Sequence, residues 1–327
     1  MSYPAGVTHG VTRLAPSPTG ALHLGNARTF LATWAMARSK GWRIVLRVED
    51  LDTPRVKPGV LDLTIDLLAW LGIDWDQGPF IQSADRDTHE EAMRRLVACG
   101  RAYPCAMSRA EIEAAASAPQ EGSGEIRFPA SLRPARRPRD FDDGSPSWRF
   151  VVDDDAVVRF DDEFAGPQAI RPAESIGDFV VWTRRDPAKP GQAAYQLAVV
   201  VDDARQGVTH VVRGDDLIDS AARQLLIMRA LGLAREPAYC HLPLVRGEDG
   251  RRLAKRHGDT RLDAYRAAGV TAERVIGLVG AWCGIVPSPR PMDAREFLSG
   301  FELNRIPGQP IIFTASDDRW LRARSGA

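Results

Sequence analysis

Two segments of this 327-residue chain carry residue types that handle phosphates. In the first, Arg13-Leu14-Ala15 runs into Pro16-Ser17-Pro18-Thr19-Gly20, and His23-Leu24-Gly25-Asn26 follows. This pattern predicts a strand that ends, a tight turn, and a helix that begins at Gly25. The first turn of a helix has backbone N–H groups without intrahelical partners and sits at the positive end of the helix dipole, so it stabilises an anion. His23 can donate a hydrogen bond to a phosphate oxygen, and Gly25 lets a nucleotide come close to the backbone. The same pattern also fits an ordinary strand-to-helix turn. The second segment, Arg252-Leu253-Ala254-Lys255-Arg256-His257-Gly258, is a basic loop late in the chain. Lys255 is a mobile point charge suited to a transferring phosphate. A solvated basic loop is the plain alternative.

The elements that must position these residues are of the α/β kind. Val11 to Ala15 reads as a short strand, and a helix is expected from about Gly25 to Ser39, with Phe30, Leu31, Trp34 and Met36 as packing positions. Trp34, Trp70 and Trp75 read as core rather than as a base-stacking platform. Arg43 to Val48 is an almost continuous apolar run with β-branched members, as in a buried parallel strand. Strand, turn, helix and strand make a βαβ unit with a nucleotide-binding look. Further helices are predicted over Gly59–Leu71 and Asp87–Gly100. Pro119 to Pro146 is loop-like, Trp148 to Phe160 alternates like a hairpin turning at Asp153-Asp154-Asp155, and Phe179 to Thr183 reads as a strand. Tyr195–Val201 and Val208–Arg213 are predicted strands, and Ser220–Leu231 a helix capped by Ser220 or Asp219. From Leu262 the tail is predicted helical up to Cys283, then Pro-rich and irregular.

Composition sets bounds. Lys+Arg 43 balances Asp+Glu 43, so the net charge neither suggests nor excludes a polyanionic partner. Hydrophobic residues make up 44% of the chain, enough for a large core and for two domains or one domain with an insertion. Cys99, Cys105, Cys240 and Cys283 form no disulfide framework, which predicts a reducing, cytoplasmic setting. The first ten residues lack a signal-peptide pattern, and no uncharged apolar run is long enough to span a membrane.

Taken together, the two phosphate-handling segments resemble the two signature motifs of the class I aminoacyl-tRNA synthetases. His23-Leu24-Gly25-Asn26 is similar to the motif written HIGH, and Arg252-Leu253-Ala254-Lys255-Arg256 to the motif written KMSKS. Arg13 to Gly20, Arg47-Val48-Glu49-Asp50-Leu51-Asp52, Val199 to Asp203 and Val211 to Asp216 narrow the resemblance to the glutamate branch. It runs from about Thr12 to Tyr265. The resemblance implies a Rossmann-like parallel-sheet catalytic domain, with its first half at 8–100 and its second at 191–250. An inserted α+β, acceptor-binding-like subdomain would occupy 101–190, and the Lys255 loop with a short, mostly helical tail 251–327. It implies catalytic roles for His23 and Lys255, ATP binding by His23, Gly25, Asn26 and Lys255, and a glutamate pocket lined by Arg13, Ala15, Ser17, Glu49, Tyr195 and Arg213. In that pocket Arg13 and Arg213 can bind carboxylates and Glu49 the substrate ammonium.

Gly214-Asp215-Asp216-Leu217-Ile218-Asp219-Ser220 resembles the truncated paralogues of glutamyl-tRNA synthetase, and about 70 residues after the Lys255 loop leave no room for a large anticodon-binding region. Such paralogues place glutamate on queuosine at the wobble position of tRNA(Asp). The expected substrates are therefore L-glutamate, ATP with Mg²⁺, and tRNA(Asp) carrying queuosine, with activation independent of tRNA and the protein a monomer. The rivals are a short glutamyl-tRNA synthetase charging a 3′ end, a non-catalytic tRNA- or partner-binding module, and a nucleotidyltransferase that adenylates a small acid. Asn26 departs from the last His of the first motif and Ala254 from the Ser of the second. Many relatives bind zinc in the insertion through a C-x-C pair, a Tyr and a further Cys. Here Met107 stands where the second Cys would be, in Tyr103-Pro104-Cys105-Ala106-Met107, so no zinc is expected. Arg133, Arg136, Arg137 and Arg139 form a basic run that either meets tRNA phosphates or is solvated.

Overall fold

The computed structural model describes residues 10–18, 20–51, 59–115, 127–145, 147–184, 188, 190–251, 253, 259–323. Five strands and the helices between them make the central sheet unit. β1 (Val11–Leu14) leads into α1 (Leu24–Ser39), then β2 (Arg43–Val48), α2 (Val60–Trp70), β3 (Gln77–Ile81) and α3 (Arg86–Ala98). β1, β2 and β3 pair in parallel. After β4 (Ala102–Pro104) and α4 (Arg109–Ala115) come β5 (Ser147–Phe150), β6 (Val158–Asp162), β7 (Gly166–Ile170), α5 (Pro172–Ser175), β8 (Phe179–Thr183) and β9 (Gln192–Ala193). The chain then returns through α6 (Tyr195–Arg205), β10 (His210–Gly214), α7 (Ile218–Ala230), β11 (Ala238–Leu242) and β12 (Val245–Arg246). The tail holds α8 (Leu262–Ala267), α9 (Ala272–Trp282), α10 (Ala294–Gly300), β13 (Ile311–Ile312) and α11 (Ala315–Arg322).

β10 lies beside β1: Thr209 N donates to Val11 O at 2.8 Å, and Thr12 Oγ1 to His210 O at 2.9 Å. β10 pairs in parallel with β11. The strands thus run β3-β2-β1-β10-β11, and the order reverses between β1 and β10. In such open sheets the crevice beyond the carboxyl ends of the strands, at this reversal, is where ligands bind. Both faces are covered: α1, α8, α9 and α10 build one apolar cluster with Leu14, Ile44 and Leu46, and α3, α6 and α7 build another with Val11, Val45 and Val211. β4, β5, β8 and β9 form a separate antiparallel sheet with its own cluster around Tyr103, Cys105, Phe128 and Val151, against which Met107 packs.

Four expectations about elements are corrected. Tyr195–Val201 is the start of a helix, not a strand: Gln196 to Asp203 are buried on every side, so no periodicity distinguished the two. Trp148 to Phe160 is not a hairpin. β5 pairs with β4 and β8, while β6 pairs with β7 and extends the parallel sheet beside β11. The helix expected from Ser220 begins at Ile218, with Leu217 at its N-cap and no side-chain cap, because Ser220 is turned inward to Gln196. The tail beyond Cys283 forms α10 and α11, each started by a side-chain cap: Asp293 accepts from Glu296 N and Thr314 from Asp317 N.

Candidate active site

At the crevice between β1 and β10 lies a cavity of about 490 Å³, whose walls include Ala15, Ser17, His23, Gly25, Asn26, Glu49, Tyr195 and Arg213. It shares Ser17, Glu49 and Tyr195 with a neighbouring cavity of about 460 Å³ reaching Gln82, Thr183 and Gln192. The chain is drawn into this form by the turn after β1. Glu49 N donates to Pro16 O at 3.0 Å, which carries the β1–β2 pairing one step past the strand ends.

The turn at His23 is closed by reciprocal capping. Gly25 N donates to His23 Nδ1 at 3.1 Å, and His23 N donates to Asn26 Oδ1 at 3.0 Å. An Nδ1 that accepts a backbone N–H leaves the proton of the neutral ring on Nε2. The donor expected for a phosphate is thereby set by the fold. Gly25 is needed for this: a Cβ there would lie 3.0 Å from His23 Cε1 and 3.1 Å from Nδ1. Asn26 serves the turn through its oxygen rather than through its amide N–H alone, a role the sequence reading did not assign. Lys255 lies outside the described residues. The segments flanking its loop are fixed at the cavity: Leu253 N donates to Val245 O at 3.3 Å, Leu24 N to Thr260 O at 3.1 Å and Leu262 N to Leu22 O at 2.8 Å.

The acid-binding end is a set of buried charges. Arg47, fully buried, donates to Asp203 at 2.7 Å, Gln206 at 2.8 Å and Glu49 at 3.1 Å. Arg13 is buried behind the cavity wall, 3.6 Å from Asp203, and donates to Val212 O at 3.3 Å. Arg213 donates to His241, Gln224 and Leu217 O. Three guanidinium groups, Arg13, Arg47 and Arg213, thus lie near the carboxylates of Asp203 and Glu49, and the buried Asp202 also acts on Arg47. Burial lowers the proton affinity of Arg13, with Asp203 opposing and Arg47 and Arg213 adding to the fall. Burial raises Glu49 above its ordinary value, with Arg47 and Arg13 opposing. Burial, then Glu49, raises Tyr195.

Of the six residues expected to line a glutamate pocket, five line this cavity, and the sixth, Arg13, is buried beside Asp203. Sequence reasoning missed Arg47, Asp203, Asp162, His241 and Gln224 as individual supports. Arg47 and Asp203 stood inside quoted motifs, but only the fold shows which side chains turn inward.

The insertion is tied by Asp178, which is buried. It accepts from Tyr103 Oη at 2.7 Å, Arg133 Nε at 2.8 Å, Arg133 Nη2 at 2.9 Å and Val152 N at 2.9 Å. Arg133 also pairs with Asp154 at 2.8 Å. Arg137 donates to Gly100 O at 3.3 Å and Arg139 to Ala98 O at 2.9 Å, at the end of α3. Three of the four arginines in the basic run therefore serve the fold. Among the described residues no group of three or more His, Cys, Asp or Glu could hold a metal ion, and no helix is long and apolar enough to cross a membrane.

A model of the tRNA synthetases class I (E and Q), catalytic domain, matches residues 10–306. The glutamyl-Q tRNA(Asp) synthetase of Symbiobacterium thermophilum is 47% identical over 316 residues, 93% of this chain and 95% of that protein. The protein of the same name from Rhodopirellula baltica is 42% identical, covering 94% of this chain and 97% of that one. Among solved structures, glutamate-tRNA synthetase from Elizabethkingia anophelis is similar with a TM-score of 0.78 and 25% identity, covering 96% of this chain and 70% of that one.

Proposed function

Since the chain belongs to the class I tRNA synthetases (E and Q), we propose that it activates L-glutamate with ATP and transfers it to the queuosine base of tRNA(Asp). The observation that carries this is the continuity of one cavity from Glu49, Tyr195 and Arg213 to the His23 turn. Free glutamate offers two carboxylates and one ammonium. Arg213 grips a carboxylate, Glu49 takes the ammonium in place of part of its pairing with Arg47, and Tyr195 and Ser17 wall the pocket. The α-carboxylate oxygen attacks the α-phosphorus of ATP, the bond to the bridging oxygen breaks, and pyrophosphate leaves. His23 Nε2–H donates to a phosphate oxygen, and Lys255 adds a positive charge against the charge that develops. A hydroxyl of the acceptor then attacks the mixed anhydride, and AMP leaves. Mg²⁺ enters as the counter-ion of ATP.

The near-complete coverage of the glutamyl-Q relatives supports queuosine of tRNA(Asp) as the acceptor. The sheet β4-β5-β8-β9, most of which falls within residues 101–190, is taken as the acceptor-side unit, while β6 and β7 of that span join the parallel sheet. We also infer that this unit holds no zinc. Its Cys105 is buried and its Met107 packs against the apolar cluster, while Asp178 and Arg133 tie the strands instead.

The test is glutamate-dependent ATP–pyrophosphate exchange with and without tRNA, followed by transfer of labelled glutamate to tRNA(Asp) with and without queuosine. Exchange with glutamate alone and transfer only to queuosine-containing tRNA(Asp) are expected. Exchange that needs tRNA(Glu), with label on its 3′ end, makes the protein a short glutamyl-tRNA synthetase. No exchange in folded protein makes it a non-catalytic module.

A further inference from the structure

Arg213 does not stand in the cavity by itself. Its Nε donates to His241 Nε2 at 3.0 Å, its Nη1 to Gln224 Oε1 at 2.9 Å and its Nη2 to Leu217 O at 3.1 Å. Of the five N–H donors of a guanidinium, these contacts use one on each nitrogen. One N–H remains on each terminal nitrogen, the pair that meets the two oxygens of a carboxylate. The contact at Nε sets the plane of the group. It exists only while His241 Nε2 is an acceptor, which requires the ring proton on Nδ1. His241 Nδ1 lies 2.5 Å from Asp162 Oδ2, and Asp162 is an acceptor there. The other oxygen of Asp162 takes three backbone N–H groups, from His241 at 3.0 Å, Phe164 at 3.0 Å and Ala165 at 2.8 Å. Its orientation is therefore fixed by the corner after β6, in the hairpin that joins the insertion to the parallel sheet. His241 and Asp162 are buried, and burial lowers the proton affinity of His241, with Asp162 opposing and Arg213 adding to the fall. A second proton on the ring would set N–H against N–H.

We propose that Asp162 and His241 are positioning residues: Asp162 fixes the His241 tautomer, and His241 holds the Arg213 guanidinium in the orientation that binds the carboxylate of the amino-acid substrate. The inference rests on the reading of this cavity as a glutamate pocket. It links β6, β11 and β10 in one line of hydrogen bonds, so that a corner contributed by the insertion sets the geometry of the amino-acid site. Neither residue touches substrate.

The test compares His241→Leu, His241→Gln and Asp162→Asn with the unaltered protein in glutamate-dependent ATP–pyrophosphate exchange. Asp162→Asn, with its oxygen kept by the three backbone N–H groups, turns an NH₂ toward Nδ1 and drives the proton to Nε2. His241→Leu and Asp162→Asn are expected to raise KM for glutamate about 10- to 100-fold, with KM for ATP within about twofold. His241→Gln, whose side-chain oxygen can accept from Arg213 Nε, should recover part of the loss. Nitrogen-15 NMR of the unaltered protein should show His241 neutral and protonated at Nδ1, a readout that needs no variant to fold. Unchanged glutamate KM in folded His241→Leu, equal damage in the Leu and Gln variants, parallel loss for ATP and glutamate, or a proton on Nε2 each overturns the proposal. Failure of the unaltered protein to exchange with glutamate overturns the glutamate reading instead, and the NMR result then still reports on the tautomer.

Discussion

Glu49 is a carboxylate that the structure keeps partly out of water, and its proposed role is to meet the substrate ammonium. Its pKa lies above the ordinary value of 4.5, burial being the first cause. Only the ionised form attracts the substrate ammonium. Glutamate KM is therefore expected to be flat above that raised pKa and to climb as pH falls through it, by up to about tenfold per unit. Glu49→Gln should show a raised KM with no such acid limb, measured as exchange rate against glutamate from pH 5 to 8. An unchanged acid limb in the Gln variant would assign it to another group. Arg213 already satisfies three polar neighbours, so Arg213→Ala removes the carboxylate contact and also leaves His241 Nε2 and Gln224 Oε1 without their donor. A fall of about 100-fold or more in kcat/KM for glutamate is expected, with aspartate and glutamine as controls.

The turn from β1 into α1 is an element whose geometry is its function. It presents the helix N-terminus and His23 together because Gly25 has no side chain to press on the imidazole. Gly25→Ala places a methyl 3.0 Å from the ring. The expected result is a fall in kcat of about tenfold, from displacement of Nε2, with glutamate KM little changed; a shift in glutamate KM alone would contradict it. In the insertion, the corresponding device is Asp178. Asp178→Ala removes four acceptor contacts at once; it leaves the Tyr103 hydroxyl and Val152 N without their acceptor, while Arg133 keeps Asp154. Leaving these donors without their buried acceptor is expected to cost about 1–3 kcal/mol, to be read from the urea midpoint. The same change with no loss of stability would mean that the cluster around Tyr103, Cys105 and Phe128 holds the sheet without it.

At the scale of the molecule, exchange without tRNA is expected at a rate close to that with tRNA. Transfer should weaken steeply as salt rises, since phosphate contacts release counter-ions, while exchange should respond much less. The net charge of zero means that any tRNA attraction comes from local groups; Arg133 is held by Asp178 and Asp154, while Arg137 and Arg139 are exposed. Elemental analysis of purified protein should find well under one zinc per chain. One equivalent, lost together with folding on chelation, would overturn that expectation.

Local chemistry wrote several parts of this protein plainly. The Pro- and Gly-rich turn before His23, the apolar run Arg43–Val48 and α1, bracketed by that turn and by Gly41, were legible because their signals lie within a few residues of each other. The motifs around His23, Glu49 and Arg213 pointed to the cavity for the same reason. The helix at Tyr195 was not legible, since a segment buried on all sides loses the polar face that marks a period. Neither was the exchange of partners between β5 and β6, because strand pairing is decided by residues far apart in sequence. The charge network was decided by tertiary structure alone: Arg13 and Arg213 are the same residue type on adjacent strands and equally buried, but one lies 3.6 Å from Asp203 and the other donates to His241 and Gln224. Asp162 and His241, 79 positions apart, meet only because β6 lies against β11.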